Sequence, residues 1–244
     1  MIKFLARAFL APFARLVFRP RIIGRKNVPK IGAVLIASNH LSFIDSVVIT
    51  LVAPRSVSFL AKSEYFTGTG FKGWVSRSFF TGIGAIAVER SAGQAAQDAL
   101  NAGLAVLENG DAFAIYPEGT RSRDGRLYRG RTGVAWLALT SRAVVVPVAL
   151  TGTQNIQPAG SKRIRLARVT VEFGAPLDLS VHGEATSGKA RRNATDDVME
   201  AIQKMSGQEF ADEYNEPPPA TAAGRARRKL RERVRRVFRR DGRH

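Results

Sequence analysis

From about residue 22 to residue 180, short apolar runs alternate with longer mixed stretches. The runs are AVLIAS (33–38), VSFLA (57–61), GAIAV (84–88), AFAIY (112–116), VVVPVAL (144–150) and RVTVEF (168–173). Apolar residues at consecutive positions predict strands covered on both faces. Helical periods lie between several of them. Leu100, Leu104 and Leu107 share one face over 94–108, with Gly110 as a stop. A shorter helix is expected over 131–140 and a last one over 190–214. Strands alternating with helices predict an α/β fold, a mixed and largely parallel sheet flanked by helices. Pro147 falls inside one of the runs, where a proline predicts an edge strand or a bulge.

The two ends read differently. Residues 2–18 fit an amphipathic helix, with Lys3, Arg7 and Arg15 on one stripe and Pro12 as a kink. Charges inside the apolar run exclude a secretory signal, and no stretch is a confident membrane span. An N-terminal membrane-associating helix is expected, with a helix packed on the domain as the other reading. EPPPATAAG (216–224) reads as a linker. After it, Leu230, Val234, Val237 and Phe238 line one face of an Arg-rich helix. The chain thus divides into an N-terminal segment (1–21), a main domain (22–214), a linker (215–224) and an Arg-rich amphipathic tail (225–244).

Composition narrows the partners. The 244 residues suffice for one sizeable core and include no cysteine, which excludes disulfides and thiolate metal sites and suits a reducing compartment. The net charge of +18 attracts nucleic acid, anionic lipid or phosphorylated substrates. Of 38 basic residues, 11 lie in the tail, without the interleaved aromatics that stack bases. A nucleic-acid partner is therefore not expected, and an anionic membrane surface is.

Of the three histidines, only His40 follows a buried strand, at the end where α/β sheets place ligands. It lies in SNHLSFIDS (38–46), five residues before Asp45. On one continuous helix the two side chains would stand about 140° apart. They meet if His40 sits in the turn before the helix and Asp45 in its first turn. Ser42 and Asp45 have capping-box spacing, which allows that placement but also explains Asp45 as a cap and nothing more. YPEGTRS (116–122) follows another strand. Pro117 ends the ladder, Gly119 permits a tight turn, and the backbone of 119–121 with Thr120 and Arg121 can form a phosphate pocket, Glu118 orienting the arginine or the loop. The same stretch also reads as a polar surface turn. Arg90, after GAIAV, reads as a solvated helix cap.

Together these blocks resemble the phospholipid/glycerol acyltransferase family, and within it the bacterial 1-acyl-sn-glycerol-3-phosphate acyltransferases. N-H-x-x-x-x-D is matched by Asn39, His40 and Asp45. G-x-I-x-V-x-R is matched by Gly84, Ile86, Val88 and Arg90. F-P-E-G-T-R-S is matched by 117–122 with Tyr116 for Phe, and V-P-V by Val146, Pro147 and Val148. The resemblance spans roughly residues 20–180. It implies transfer of an acyl group from an acyl thioester, on coenzyme A or acyl carrier protein, to the hydroxyl of lysophosphatidic acid. It implies His40 as base, Asp45 as its partner, and Glu118, Gly119, Thr120, Arg121, Arg90 and Lys62 around the acceptor's phosphate. No metal and no further cofactor are implied, and the cytoplasmic face of the cell membrane is the expected location. Another lysolipid or an amino-acid lipid as acceptor is the alternative within the family; a non-enzymatic membrane- or nucleic-acid-binding protein is the distant one. Two features depart from the family. Thr67-Gly68-Thr69-Gly70 stands where its relatives carry proline, and the Arg-rich tail has no counterpart.

Overall fold

The computed structural model describes residues 19–88, 94–158, 161 and 163–216. The amphipathic stretch 2–18, Arg90 and the tail 225–244 lie outside them.

Seven strands form one sheet: β1 (Arg21–Ile23), β2 (Val34–Ser38), β3 (Val57–Lys62), β4 (Ala85–Val88), β5 (Ala112–Ile115), β7 (Val144–Thr151) and β8 (Thr170–Phe173). Their order is β1-β8-β7-β2-β5-β3-β4. β7, β2, β5, β3 and β4 run parallel; β8 runs against β7, and β1 is parallel to β8. A short second ladder pairs β6 (Leu127–Tyr128) with β9 (Phe210–Ala211).

Each expected strand is present, and the reason is visible in β2. Val34 and Ile36 face one apolar layer, Leu35 and Ala37 the other, as the two-residue period of a strand requires. The first layer is completed by α1 (Asp45–Val52), α2 (Gly70–Gly82) and the single turn α5 (Thr153–Ile156). The second is completed by α3 (Ala95–Glu108), α4 (Gly133–Ser141) and α6 (Gly188–Ser206).

Two expectations need adjusting. Of the edge strand and the bulge predicted at Pro147, the structure has the bulge, because β7 lies between β2 and β8. The proline is tolerated because the ladder toward β8 is interrupted beside it. Val145 pairs with Leu177 and the Pro147 carbonyl accepts from Gly174 N–H, with Ala175 and Pro176 bulging between. The last helix also stops at Ser206, where Gly207 turns into the left-handed region at φ 65°. Residues 207–216 instead form an extended strap that carries β9. Asn215 in that strap is buried, so the first residue read as linker belongs to the folded domain.

Parallel strands gather their C-terminal ends at one edge of the sheet. His40 follows β2, Lys62 ends β3, Tyr116 follows β5 and the chain leaves β7 at Thr151, all at this edge.

Candidate active site

β2 ends at Ser38, and the Asn39 side chain continues its ladder. Asn39 Nδ2 donates to Leu150 O at 2.9 Å and Asn39 Oδ1 accepts from Leu150 N–H at 2.8 Å. Gln208 Oε1, from the strap, accepts from the same Nδ2 at 2.7 Å. The next residue is thereby fixed at the sheet's edge. His40 is held through four different groups. Its N–H donates to Glu118 Oε1 at 3.0 Å and its carbonyl accepts from Ser122 N–H at 2.8 Å. Its ring stacks on Tyr116 with centroids 3.9 Å apart, and Nδ1 lies 2.8 Å from Asp45 Oδ2.

Asp45 is fully buried. Its Oδ2 accepts from Leu41 N–H at 2.7 Å and Ser42 N–H at 2.8 Å as well as facing the imidazole. The capping box is therefore only half made. The acid reaches back to the Ser42 amide, but Ser42 Oγ donates to Gln157 O at 3.0 Å instead of capping the helix. His40 lies in the turn before α1 and Asp45 is the first residue of that helix, so the two meet across a bend that one continuous helix would forbid.

The Tyr116 hydroxyl is paired with Ser46 Oγ at 2.7 Å, and burial first, then the Asp45 charge, holds it well above the usual phenol range. It is a neutral platform under the imidazole. In YPEGTRS, Gly119 adopts φ 74°, where a side chain would be strained and its Cβ would lie 2.9 Å from Arg131 Nε. The Gly119 N–H closes the turn onto Tyr116 O at 2.9 Å, so it does not point outward as the sequence suggested. The Thr120 and Arg121 amides have no partner among the described residues, and the Arg121 side chain is exposed. The turn is braced from behind by Asn215 Nδ2, which donates to Thr120 O at 3.1 Å, and by Arg131 N–H, which donates to Pro117 O at 2.8 Å.

Glu118 takes the loop-orienting role that its place in the sequence suggested, and not the phosphate contact that the resemblance implies. It is fully buried, and its Oε2 accepts from Tyr128 N–H at 3.0 Å while Oε1 takes His40 N–H. A carboxylate so placed ties the two loops together beneath the site. Facing a phosphate, it would repel it. Burial raises its pKa to about 7 against the pull of both amide bonds, which favour the ionised form. A folded-state value above the free one means the folded protein holds this proton longer. The associated stability is complete below about pH 4.5 and lost as pH rises through about 7, roughly 3 kcal/mol in all. Glu118→Gln offers one acceptor to two N–H donors and should cost about 1–3 kcal/mol at pH 5. Urea midpoints at pH 5 and pH 8 check both points. Wild type should lose stability between them, and the variant should not show this step.

Lys62 is exposed at the end of β3, separated from β2 by β5 in strand order. The residues missed by sequence reasoning are Gln208, Asn215, Ser46 and Arg131. The pattern carries no signal for the first two, since each acts on a residue far away in the chain. The polar Gly-Arg-Thr run at 130–132 was the one hint of Arg131.

A half-buried imidazole on a buried carboxylate, beside an exposed, glycine-turned loop with free amides, is an arrangement for activating a hydroxyl next to an anion. Comparison with known proteins agrees with that class. The profile of the family described as Acyltransferase matches residues 19–151, more than half of the chain, and the chain belongs to that family. It is 33% identical to a 1-acyl-sn-glycerol-3-phosphate acyltransferase of Limnanthes douglasii over 144 residues, 58% of this chain and 49% of that one. It is 28% identical to the enzyme of the same name from Borreliella burgdorferi over 139 residues, 55% of this chain and 52% of that one. The chain spans about half the length of the curated relatives it matches. The fold resembles that of the 1-acyl-sn-glycerophosphate acyltransferase of Thermotoga maritima, with a TM-score of 0.61, 21% identity and coverage of 83% of this chain and 82% of that one.

Proposed function

We propose that this protein transfers a fatty acyl group from an acyl thioester to the free hydroxyl of 1-acyl-sn-glycerol-3-phosphate, giving phosphatidic acid. The observation that carries the reading is the 2.8 Å contact of His40 Nδ1 with a buried Asp45, which leaves Nε2 for a substrate hydroxyl. His40 Nε2 takes the hydroxyl proton as the oxygen attacks the thioester carbonyl. The new C–O bond forms, the C–S bond breaks, and the departing thiolate receives the proton from the imidazolium. Asp45 fixes the tautomer and stabilises that imidazolium. General-base help of this kind contributes about 10²–10⁴-fold. The Thr120 and Arg121 amides, the Thr120 hydroxyl and the Arg121 guanidinium hold the acceptor's phosphate, with Arg90 and Lys62 as further cations. Holding the phosphate positions the hydroxyl, a contribution comparable to or larger than the proton transfer. Glu118 supports this loop without touching substrate.

We place the protein at the cytoplasmic face of the membrane, as a peripheral or monotopic enzyme. The lipid substrate supports this; among the described residues no helix is long and apolar enough to cross a membrane. The test is thiol release from a long-chain acyl-CoA, and separately from acyl carrier protein, in the presence of 1-acylglycerol-3-phosphate. Release coupled to phosphatidate formation is expected with at least one donor. Turnover only with an uncharged lysolipid would overturn the phosphate assignment.

A further inference from the structure

The Thr120 carbonyl and the Arg121 N–H belong to one peptide group. The group is trans, so the two point in opposite directions. Whatever holds the carbonyl therefore aims the amide. The carbonyls of Tyr116 and Pro117 accept from backbone N–H groups, those of Gly119 and Arg131. That of Thr120 accepts from a side chain, Asn215 Nδ2, at 3.1 Å. One residue on, Ser122 N–H donates to His40 O at 2.8 Å, so the Arg121 amide stands next to the His40 turn.

Asn215 is well placed to set this peptide. It is buried, and two oxygens facing one another would repel, so its side chain must present nitrogen to Thr120 O. Its own carbonyl accepts from Arg131 Nη2 at 3.4 Å. The guanidinium groups of Arg129 and Arg131 stand 5.4 and 5.5 Å from the centre of the neighbouring Tyr214 ring. Arg129 N–H donates to Glu213 O at 3.0 Å. The side chain is thus carried on a fastened strap. Its bond to Thr120 O also polarises the peptide, which strengthens the Arg121 N–H as a donor.

We propose that Asn215 is a positioning residue for the acceptor: by holding Thr120 O it aims the Arg121 N–H at the phosphate monoester and sets how tightly that group is held. Asn215 does not itself touch substrate. It lies far beyond the four sequence blocks that carry the family resemblance. The inference rests on the reading that this loop holds the acceptor's phosphate, and the experiment separates the two.

Full-length wild type and Asn215→Leu, which keeps the side chain's size and removes its donor, are titrated with glycerol 3-phosphate, and with glycerol as control. The backbone amide resonances are followed by NMR. In wild type the Thr120 and Arg121 amides should shift with glycerol 3-phosphate and not with glycerol. In the variant the dissociation constant should rise about tenfold, the low end of what one hydrogen bond to a charged group contributes. The Arg121 shift should shrink more than that of Thr120. In acyl transfer the variant should raise KM for the lysolipid about tenfold and leave KM for the acyl thioester unchanged. A general loosening of the fold would not give that split. No phosphate response in wild type overturns the phosphate reading of the loop and this inference with it. A variant that titrates like wild type overturns the role of Asn215 and leaves the phosphate reading standing. Two KM values that rise together assign Asn215 to the fold alone and also overturn it. Should the variant not fold, wild type decides. The Asn215 side-chain amide resonances must then move with that of Arg121 during the titration, since one peptide group joins them. An Arg121 shift with the Asn215 signals unmoved sinks the proposal.

Discussion

His40→Ala should lower kcat for acyl transfer by about 10²–10⁴-fold with little change in the KM for the lysolipid. Magnitudes separate this from a loss of folding. The stacking of the imidazole on Tyr116, at 3.9 Å, contributes about 0.5–1.5 kcal/mol. The lost proton transfer corresponds to about 3–5 kcal/mol of barrier. The backbone contacts of residue 40 to Glu118 and Ser122 survive the substitution, and so do the two amides on Asp45 Oδ2. The phosphate loop should therefore stay in place. Thiol release measured beside thermal unfolding checks the pair of claims; turnover near the wild-type rate in a folded variant would remove His40 from the chemistry.

Asp45→Asn should lower kcat by about 10²–10⁴-fold while the protein still folds. The amide oxygen can take the place of Oδ2 and keep the Leu41, Ser42 and imidazole contacts. The Nδ2 group then occupies the position of Oδ1, which is buried and has no partner among the described residues. Leaving that donor unsatisfied costs about 1–3 kcal/mol of stability. What disappears from the reaction is the negative charge beside the imidazolium that forms as the hydroxyl is deprotonated. A residue that only capped α1 would give the stability loss with kcat per folded molecule unchanged, so the two measurements together decide between cap and catalytic partner.

The fold was legible where burial repeats with a period. β2, β3, β5 and β7 announce themselves because both their faces are covered, and α3 because Leu100, Leu104 and Leu107 line one side. The site was legible in its residue types and less so in its roles. His40 and Asp45 could be brought together on paper only by assuming a bend, and the capping pattern that suggested the bend is half real. Glu118 reads as a polar loop residue, but its two oxygens accept amides 10 and 78 residues away. The helix expected to 214 ended at Gly207, after which the chain has no period to follow. Gln208 and Asn215 act across 169 and 95 residues, on Asn39 and Thr120, and no local pattern encodes contacts of that range.

That strap has a consequence for how the protein comes into being. Chains fold from the N-terminus as they leave the ribosome. The sheet that carries His40 can form once β8 has emerged. The third hydrogen bond of the Asn39 side chain, to Gln208, and the brace behind Thr120 arrive only with residues 208 and 215. A chain that has emerged only as far as β8 would thus carry the imidazole and carboxylate with the 116–122 loop held by its contacts to His40, Tyr128 and Arg131 but without the strap behind it.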